Sequence, residues 1–401
     1  MRKMSPHRIV FLIILCLLAT PRAQAGSIFS INGPGEFIYT ADARLRAMGG
    51  GGLALTQEIS GSLVNPALLG GLKLAAVTIS FRPEALYVSD AVEKNVLTSL
   101  RLHNFALNLP VGKGLGLALD LRQQSDFNFK MYQETSILDK AYTKSVAGSG
   151  GTSLVSLSLA RNFGSSLYLG VRLGYVFGKT TKSWKGIFDD TDYRSTWTTR
   201  EIENTGTQLG GGIAFQLDRR FSVGAIFTAA HDIEQKEEWS SSFSHTVIET
   251  STLEYPLTIG LGLAFRPNAK LTAEFDVTAT KWSDLKIDGQ PAPDFTDVLR
   301  VSAGCEFVPH LEQSASYISR IPLRLGYNLE PWHLKPANGK KIYAHFLTMG
   351  IGLPFGRLGG RLDASLELGL RGNASSVGAE EKIIRGTLSL WGFEPWFQRR
   401  K

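Results

Sequence analysis

Along most of the chain, apolar and polar residues alternate with a period of two. Leu362, Ala364, Leu366, Leu368 and Leu370 oppose Asp363, Ser365, Glu367, Gly369 and Arg371. Successive side chains of a strand point to opposite faces, so this segment has one greasy and one charged face. The split recurs at 271–280, 257–266, 167–175 and 115–122. Fourteen such segments are predicted, centred near 79, 105, 118, 157, 171, 212, 224, 260, 275, 302, 325, 350, 366 and 388. Tight connections rich in Gly, Pro or Asn (110–114, 162–165, 218–220, 267–269, 354–359) alternate with longer polar ones (86–98, 123–152, 178–205, 230–254, 282–297, 329–341, 372–381). An even strand number, with short turns at one end and long loops at the other, is the pattern of a bacterial outer-membrane barrel. The stretch 309–321 departs from it, being a long connection on the short side. A soluble β-sandwich also alternates, but its strands run to about five or six residues and its loops show no such asymmetry. The expected fold is all-β: a transmembrane antiparallel β-barrel of about 14 strands over residues 73–401.

Export is written at the amino terminus. Arg2, Lys3 and Arg8 precede an apolar run from Ile9 to Ala19, and Ala23-Gln24-Ala25 follows as a small-x-small cleavage site. The run is well short of the roughly 20 residues a spanning helix needs, so 1–25 reads as a cleaved signal peptide with a mature start near Gly26. Composition narrows the classes further. With 43% hydrophobic residues and only 2 Cys among 401, the chain is neither disordered nor a disulfide framework. The formal +7 includes Arg2, Lys3, Arg8 and Arg22 of the leader. The mature excess is about +3, too small and too dispersed to point to nucleic acid.

Residues 26–72 do not alternate. They contain Arg44-Leu-Arg-Ala-Met, the run Gly49, Gly50, Gly51 and Gly52, and then Asn65-Pro66-Ala67. Glycine opens backbone conformations closed to other residues, and Asn-Pro favours a turn. On composition, a plug folded into the barrel and a periplasmic extension stand equal. The Arg-Ala-Met-Gly-Gly stretch followed by Asn65-Pro66-Ala67 resembles the hatch of the outer-membrane long-chain fatty-acid transport family (FadL/TodX type, OMPP1-like). Tyr255–Pro267 running into Lys270–Ser283, Pro322–Tyr327, and the end from Ile384 to Lys401 are similar to later strands of that family. The resemblance implies fourteen strands plugged by 26–72, with Gly49–Gly52 and Asn65-Pro66-Ala67 as hatch or gating residues. It also implies a channel for hydrophobic molecules such as long-chain fatty acids. These would be captured by outer loops, pass into an apolar lumen pocket, and leave by hatch movement or a lateral opening.

Within that reading, the alternation turns Arg82, Arg122, Arg172, Arg300, Arg324 and Arg385 into the lumen, where they could meet a carboxylate. They could equally pair with Asp120, Glu274, Asp276, Asp363 and Glu367 on the same face. Trp184, Phe188, Trp197 and Trp239, with Tyr193 and Phe243, fall in the long outer segments and offer either a first apolar groove or simple loop packing. Gly174–Thr180 falls one residue short of a phosphate-binding loop and continues a strand. The seven His show no metal-ligand spacing, no Gly-x-Ser-x-Gly elbow is present, and Cys305 lies on an apolar strand face. No enzyme, metal or cofactor is expected. The expected partners are hydrophobic small molecules or lipids, outer-membrane lipid, and the barrel assembly machinery during biogenesis. Two alternatives remain: a family-related barrel that docks or shuttles for a protein secretion system, and a barrel lipid hydrolase.

Overall fold

The computed structural model describes residues 26–40, 42–89, 94–137, 140–164, 166–188, 192–243, 247–312, 314–336, 339–356 and 360–395. The expected leader and the last six residues lie outside them.

Fourteen antiparallel wall strands close into a barrel. They are β1 (Ala75–Ser89), β2 (Lys94–Gly112), β3 (Leu115–Gln123, resuming as Phe129–Ile137), β4 (Lys140–Phe163), β5 (Leu167–Phe188) and β6 (Thr196–Gln216). Then come β7 (Phe221–Thr228 and His231–Ser241), β8 (Val247–Tyr255 and Thr258–Asn268), β9 (Leu271–Thr280) and β10 (Val298–Phe307). The last four are β11 (Leu323–Pro331), β12 (Tyr343–Phe355), β13 (Gly360–Gly372) and β14 (Glu380–Glu394). β14 pairs with β1 from Ala75↔Glu394 to Ser89↔Glu380 and closes the cylinder. All fourteen strand centres expected from the alternation fall inside these strands.

The faces are inverted relative to a soluble protein. Leu261 is 63% exposed and Leu173 60%, while Asp363 and Arg385 are at 0% and 1%. Only a surround that is itself apolar makes that arrangement favourable, and closure leaves no unpaired strand edge within it.

One expectation needs correction. The segments 86–98, 123–152, 178–205 and 230–254, expected as loops, are largely strand in their described residues. β4, β5 and β6 run 24, 22 and 21 residues, well past the length a bilayer requires. Above the apolar band these strands keep pairing as a raised wall, for example Lys182↔Arg200. Their outward side chains turn polar there, which breaks the greasy alternation but not the ladder. Trp184, Phe188, Trp197 and Trp239 therefore sit on strands. The tight ends are Lys113–Gly114 and 269–270, with Lys113 at φ 51°. They mark the periplasmic side by the loop-length rule. On that same side lies the long connection at 308–322, carrying a short 3-10 turn, Ile318–Arg320.

Residues 26–72 lie inside the cylinder. The segment starts at the outer end, where Ile28 N donates to Glu381 on β14 (2.8 Å), and descends along the lumen. Its helix α1 (Ala43–Ala47) is capped by Asp42, whose carboxylate accepts from Leu45 N (3.1 Å). Residues 48–72 then cross the periplasmic half before the chain enters β1.

Candidate functional site

Glycines on the lumen face allow the inner segment to approach the wall this closely. A Cβ at Gly212 would overlap Asn65 Oδ1, and one at Gly224 would overlap the Leu53 carbonyl. Gly116, Gly170, Gly304 and Gly326 receive Leu69, Ala67, Met48 and Gly49 in the same way. Asn65 serves as a clasp: its Nδ2 donates to the Leu53 carbonyl (2.7 Å) and the Ile213 carbonyl (3.2 Å), while its Oδ1 accepts from Ala67 N (3.0 Å). The amides of Gly52 and Leu53 both donate to Asp276 Oδ2 on β9 (2.6 and 2.9 Å).

Charge reinforces the seat. Arg44 forks onto Glu306 (2.9 and 2.7 Å) and also meets Glu58. Glu306 accepts from Arg324 (2.6 Å), which reaches Asp363 (2.7 Å), which in turn accepts from Arg361 (2.6 Å). Higher up, Glu36 takes both Arg371 and Arg385 at 2.6 Å. Buried pairs of this kind are weak contributors as pairs, but removing one partner strands a charge in the interior.

The six inward arginines are thereby located. Arg82 pairs with Glu84 (2.7 Å), and Arg122 donates to the Leu63 carbonyl (2.7 Å). Arg172 donates to Ser62 and Leu63 carbonyls (3.0 and 3.2 Å). Arg300 donates to the Gly50 carbonyl (3.1 Å) and lies over the Tyr39 ring, while Arg324 and Arg385 belong to the ion networks above. They are spread around the wall rather than brought to one point. Four of them, Arg122, Arg172, Arg300 and Arg385, touch residues 26–72. Arg324 is linked to that segment through Glu306, which Arg44 also grips, and Arg82 through Glu84, which also accepts from Arg385 (3.2 Å).

The outer half of the lumen is different. A cavity of about 800 Å³ opens there, floored by Phe29, Phe295, Trp332, Leu334 and Ile342 and walled by Phe127 and Leu253. Beneath it, Phe37, Trp282, Tyr255 and His333 pack ring on ring, with Phe37 and Trp282 stacked at 4.8 Å. Burial pushes the His333 imidazole down to about 3, against a partial opposing pull from Glu36, so it is neutral in this layer. The cations at the cavity edge are engaged: Lys182 donates to the Ile31 carbonyl (2.7 Å), and Arg200 forks onto Glu237. One residue pair higher, Trp184 and Trp239 stack at 5.7 Å and 9°. Phe188 joins Tyr142 and Tyr193 near the tip, and Trp197 is 43% exposed on the outer face. Of the six expected aromatics, Trp184 pairs with Trp239 and Phe188 with Tyr193.

A second opening was not foreseen from the sequence. β2 and β3 pair from Gly112↔Leu115 up to Asn104↔Arg122, and there the ladder ends. Past Gln123 the chain turns into the lumen, where Ser125–Asp126 pair with Glu36–Phe37 of the inner segment. It returns as Phe129–Ile137, paired to β4. Residues 94–103 of β2 are thus bonded to β1 on one side only. The resulting window has a volume of about 470 Å³, and its lining includes both the outward Leu102, Leu121 and Phe177 and the inward His103, Asn104 and Arg122. Thr152 lines both this window and the upper cavity. A break in alternation at Gln124–Asn128 was the only sequence signal for it.

Fold and site together define a closed β-barrel of the kind outer-membrane proteins use, with its own amino-terminal segment packed against the inward wall and openings above and at one side. The chain belongs to the BamG family, whose model matches residues 4–401. Solved structures share the fold. The Ralstonia pickettii toluene transporter TbuX superposes with TM-score 0.61 at 14% identity, covering 89% of this chain and 99% of that one. A Pseudomonas aeruginosa FadL homologue gives 0.62 at 11%, covering 90% and 100%. The Pseudomonas putida toluene transporter TodX gives 0.60 at 14%, covering 90% and 99%. The resemblance to the FadL/TodX type thus holds for the fold, while the family label is a different one. No curated protein matches the sequence.

Proposed function

We propose that this protein is an outer-membrane channel that takes up small hydrophobic molecules, holds them in the upper cavity and releases them sideways through the wall window. The observation that carries this reading is the adjacency of an aromatic-lined cavity to a gap in the β2–β3 ladder, with Thr152 common to both. An alkyl or aromatic ligand entering the cavity gains about 0.8 kcal/mol per buried methylene. A seated inner segment blocks the axial path, so the hatch glycines Gly49–Gly52 and the Asn65-Pro66-Ala67 turn act as fixed stoppers. The inward arginines hold that stopper, and substrate contact falls on Phe29, Phe127, Phe295 and Trp332. The named neighbours that carry toluene support the class of cargo by analogy of fold alone.

The test is uptake of radiolabelled toluene and of a long-chain fatty acid by a deletion strain carrying the intact gene or Ser153→Trp. Ser153 lines the window and is not among the residues that line the upper cavity. Uptake is expected to return with the intact gene and to fall severalfold with the variant, while ligand binding to the purified protein is unchanged. Full uptake by the variant would overturn the lateral route. Unchanged uptake on deletion would overturn the channel reading itself.

A further inference from the structure

The window has two chemistries. Its outer lip is apolar: Leu102, Leu121 and Phe177 are 52%, 39% and 37% exposed on the membrane side. Its inner side is polar and cationic. Arg101 and Arg122 line it, and among the described residues no carboxylate does, with Asp120 lying behind the lining 4.0 Å from Arg122. Arg101 is held in place by Asp126 of the inward turn.

Three further observations point to a ligand on that inner side. First, the β1–β2 register shifts between Ser80↔Asn104 and Phe81↔Leu102, making His103 an extra residue bulged inward at the window edge. Bulges recur where a side chain must be re-aimed. His103 Nε2 lies 3.3 Å from the Thr40 carbonyl, and its Nδ1 has no protein partner. Second, Asn104 is 1% exposed, yet neither its amide nitrogen nor its oxygen meets a partner. A buried side-chain amide with nothing bonded to it is costly, and native proteins avoid the cost with a ligand or water. Third, the window lies where the apolar belt ends. On β5 the outward run is Leu169, Val171, Leu173, Tyr175 and Phe177, followed by Lys179. That is the depth at which acyl chains give way to headgroups.

We propose that the window is a binding site for an acidic bilayer lipid, with its phosphate-bearing head drawn inside to His103, Asn104 and Arg122 and its acyl chains left in the membrane over Leu102, Leu121 and Phe177. The asymmetry of the lining selects for this class. A fully apolar molecule leaves Asn104 unpaired, and a soluble anion makes no use of the lip. The lipid would occupy the window through which the proposed cargo leaves, so cargo passes only as lipid gives way, but the lipid site itself does not depend on which molecule the upper cavity carries.

The experiment uses the full chain in phosphatidylglycerol nanodiscs doped with one of two photoreactive phosphatidylglycerols, bearing the diazirine on the headgroup or at the end of an acyl chain. The headgroup probe is expected to mark His103–Asn104 and Gln123–Ser125, and the tail probe Leu121 and Phe177. Asn104→Leu, close in shape, is expected to lower headgroup labelling roughly tenfold, as loss of a hydrogen bond to a charged group does. Tail labelling at Phe177 stays constant in that variant and shows that it is folded and embedded. Headgroup labelling confined to the outer rim, or unchanged by Asn104→Leu, would overturn the site. Equal labelling by a phosphatidylcholine probe would overturn its preference for acidic heads. Loss of labelling in excess soluble glycerol phosphate would make the ligand a free phosphate ester rather than a lipid.

Discussion

In the periplasmic half of the lumen, the inner segment meets bare backbone at Gly212, Gly224 and Gly304, and its charges are matched residue by residue from Arg44 to Arg361. In the outer half, the same segment faces a cavity, rests on stacked rings, and lies beside a wall that lacks part of one ladder. Close approach with paired charge makes a seal, because any displacement exposes buried ions and amides at once. Rings around empty volume make a receptor, because an apolar guest gains dispersion contacts that the cavity lacks without it. One segment of 47 residues takes part in both, and the function proposed above puts sealing at one end of the barrel and exchange at the other.

The contrast can be broken from either side. The largest effect is expected for Glu306→Ala, which leaves Arg44 and Arg324 facing each other in the interior. Loss of about 3 kcal/mol should appear as a lower urea midpoint for the folded barrel in detergent. Gly224→Val adds a branched side chain where the Leu53 carbonyl lies. It should cost about 1–3 kcal/mol and unseat the segment, read as ion conductance in planar bilayers that the native protein lacks. Trp332→Ala acts on the other half. It should weaken binding of a fluorescent fatty acid roughly tenfold through lost apolar contact, with conductance unaltered.

A smaller effect separates the halves by pH. His333 is neutral when folded and has its ordinary basicity, near 6.5, when unfolded. The unfolded chain therefore binds more protons as pH drops below that value, and stability is lost progressively from about pH 6.5 toward 3. Between pH 7 and 6 the loss should be under about 1 kcal/mol, measured by thermal melts, and His333→Phe should abolish this contribution. Least of all, Lys281→Ala, an exposed pair with Asp284 (3.4 Å), should shift stability by less than about 0.5 kcal/mol.

The barrel was legible because alternation is a local property. Leu366 and Glu367 declare opposite faces whatever the rest of the chain does. Strand length was less legible, since Lys179 and Thr181 still alternate with Thr180 and Lys182 above the membrane, but neither face is greasy there. The glycine belt was visible as residues, at Gly170 and Gly262 among others, yet a glycine on a polar face does not say which atom comes to meet it. The arginines were placed on the correct side of the wall by parity alone. Asp363, which Arg324 reaches, was among the acids named on the same face, but the partners in residues 26–72 were not legible: Arg44 finds Glu306 across 262 positions of sequence, and nothing local encodes that choice. The window was hidden for the opposite reason: five residues without pattern, Gln124–Asn128, look the same in a loop as in a turn that opens a wall.

The course of residues 26–40 constrains how the molecule is made. That stretch runs from the outer rim down the axis, and its Glu36 is gripped by β13 and β14, the last strands synthesised. Threading a finished cylinder from below would drag charged side chains past the glycine collar. Wrapping would avoid this: the sheet would curl around the leading end, as around a mandrel, until β14 reached β1. A bulky fusion ahead of Ser27 would then be carried through to the cell surface, or would hold the last seam apart.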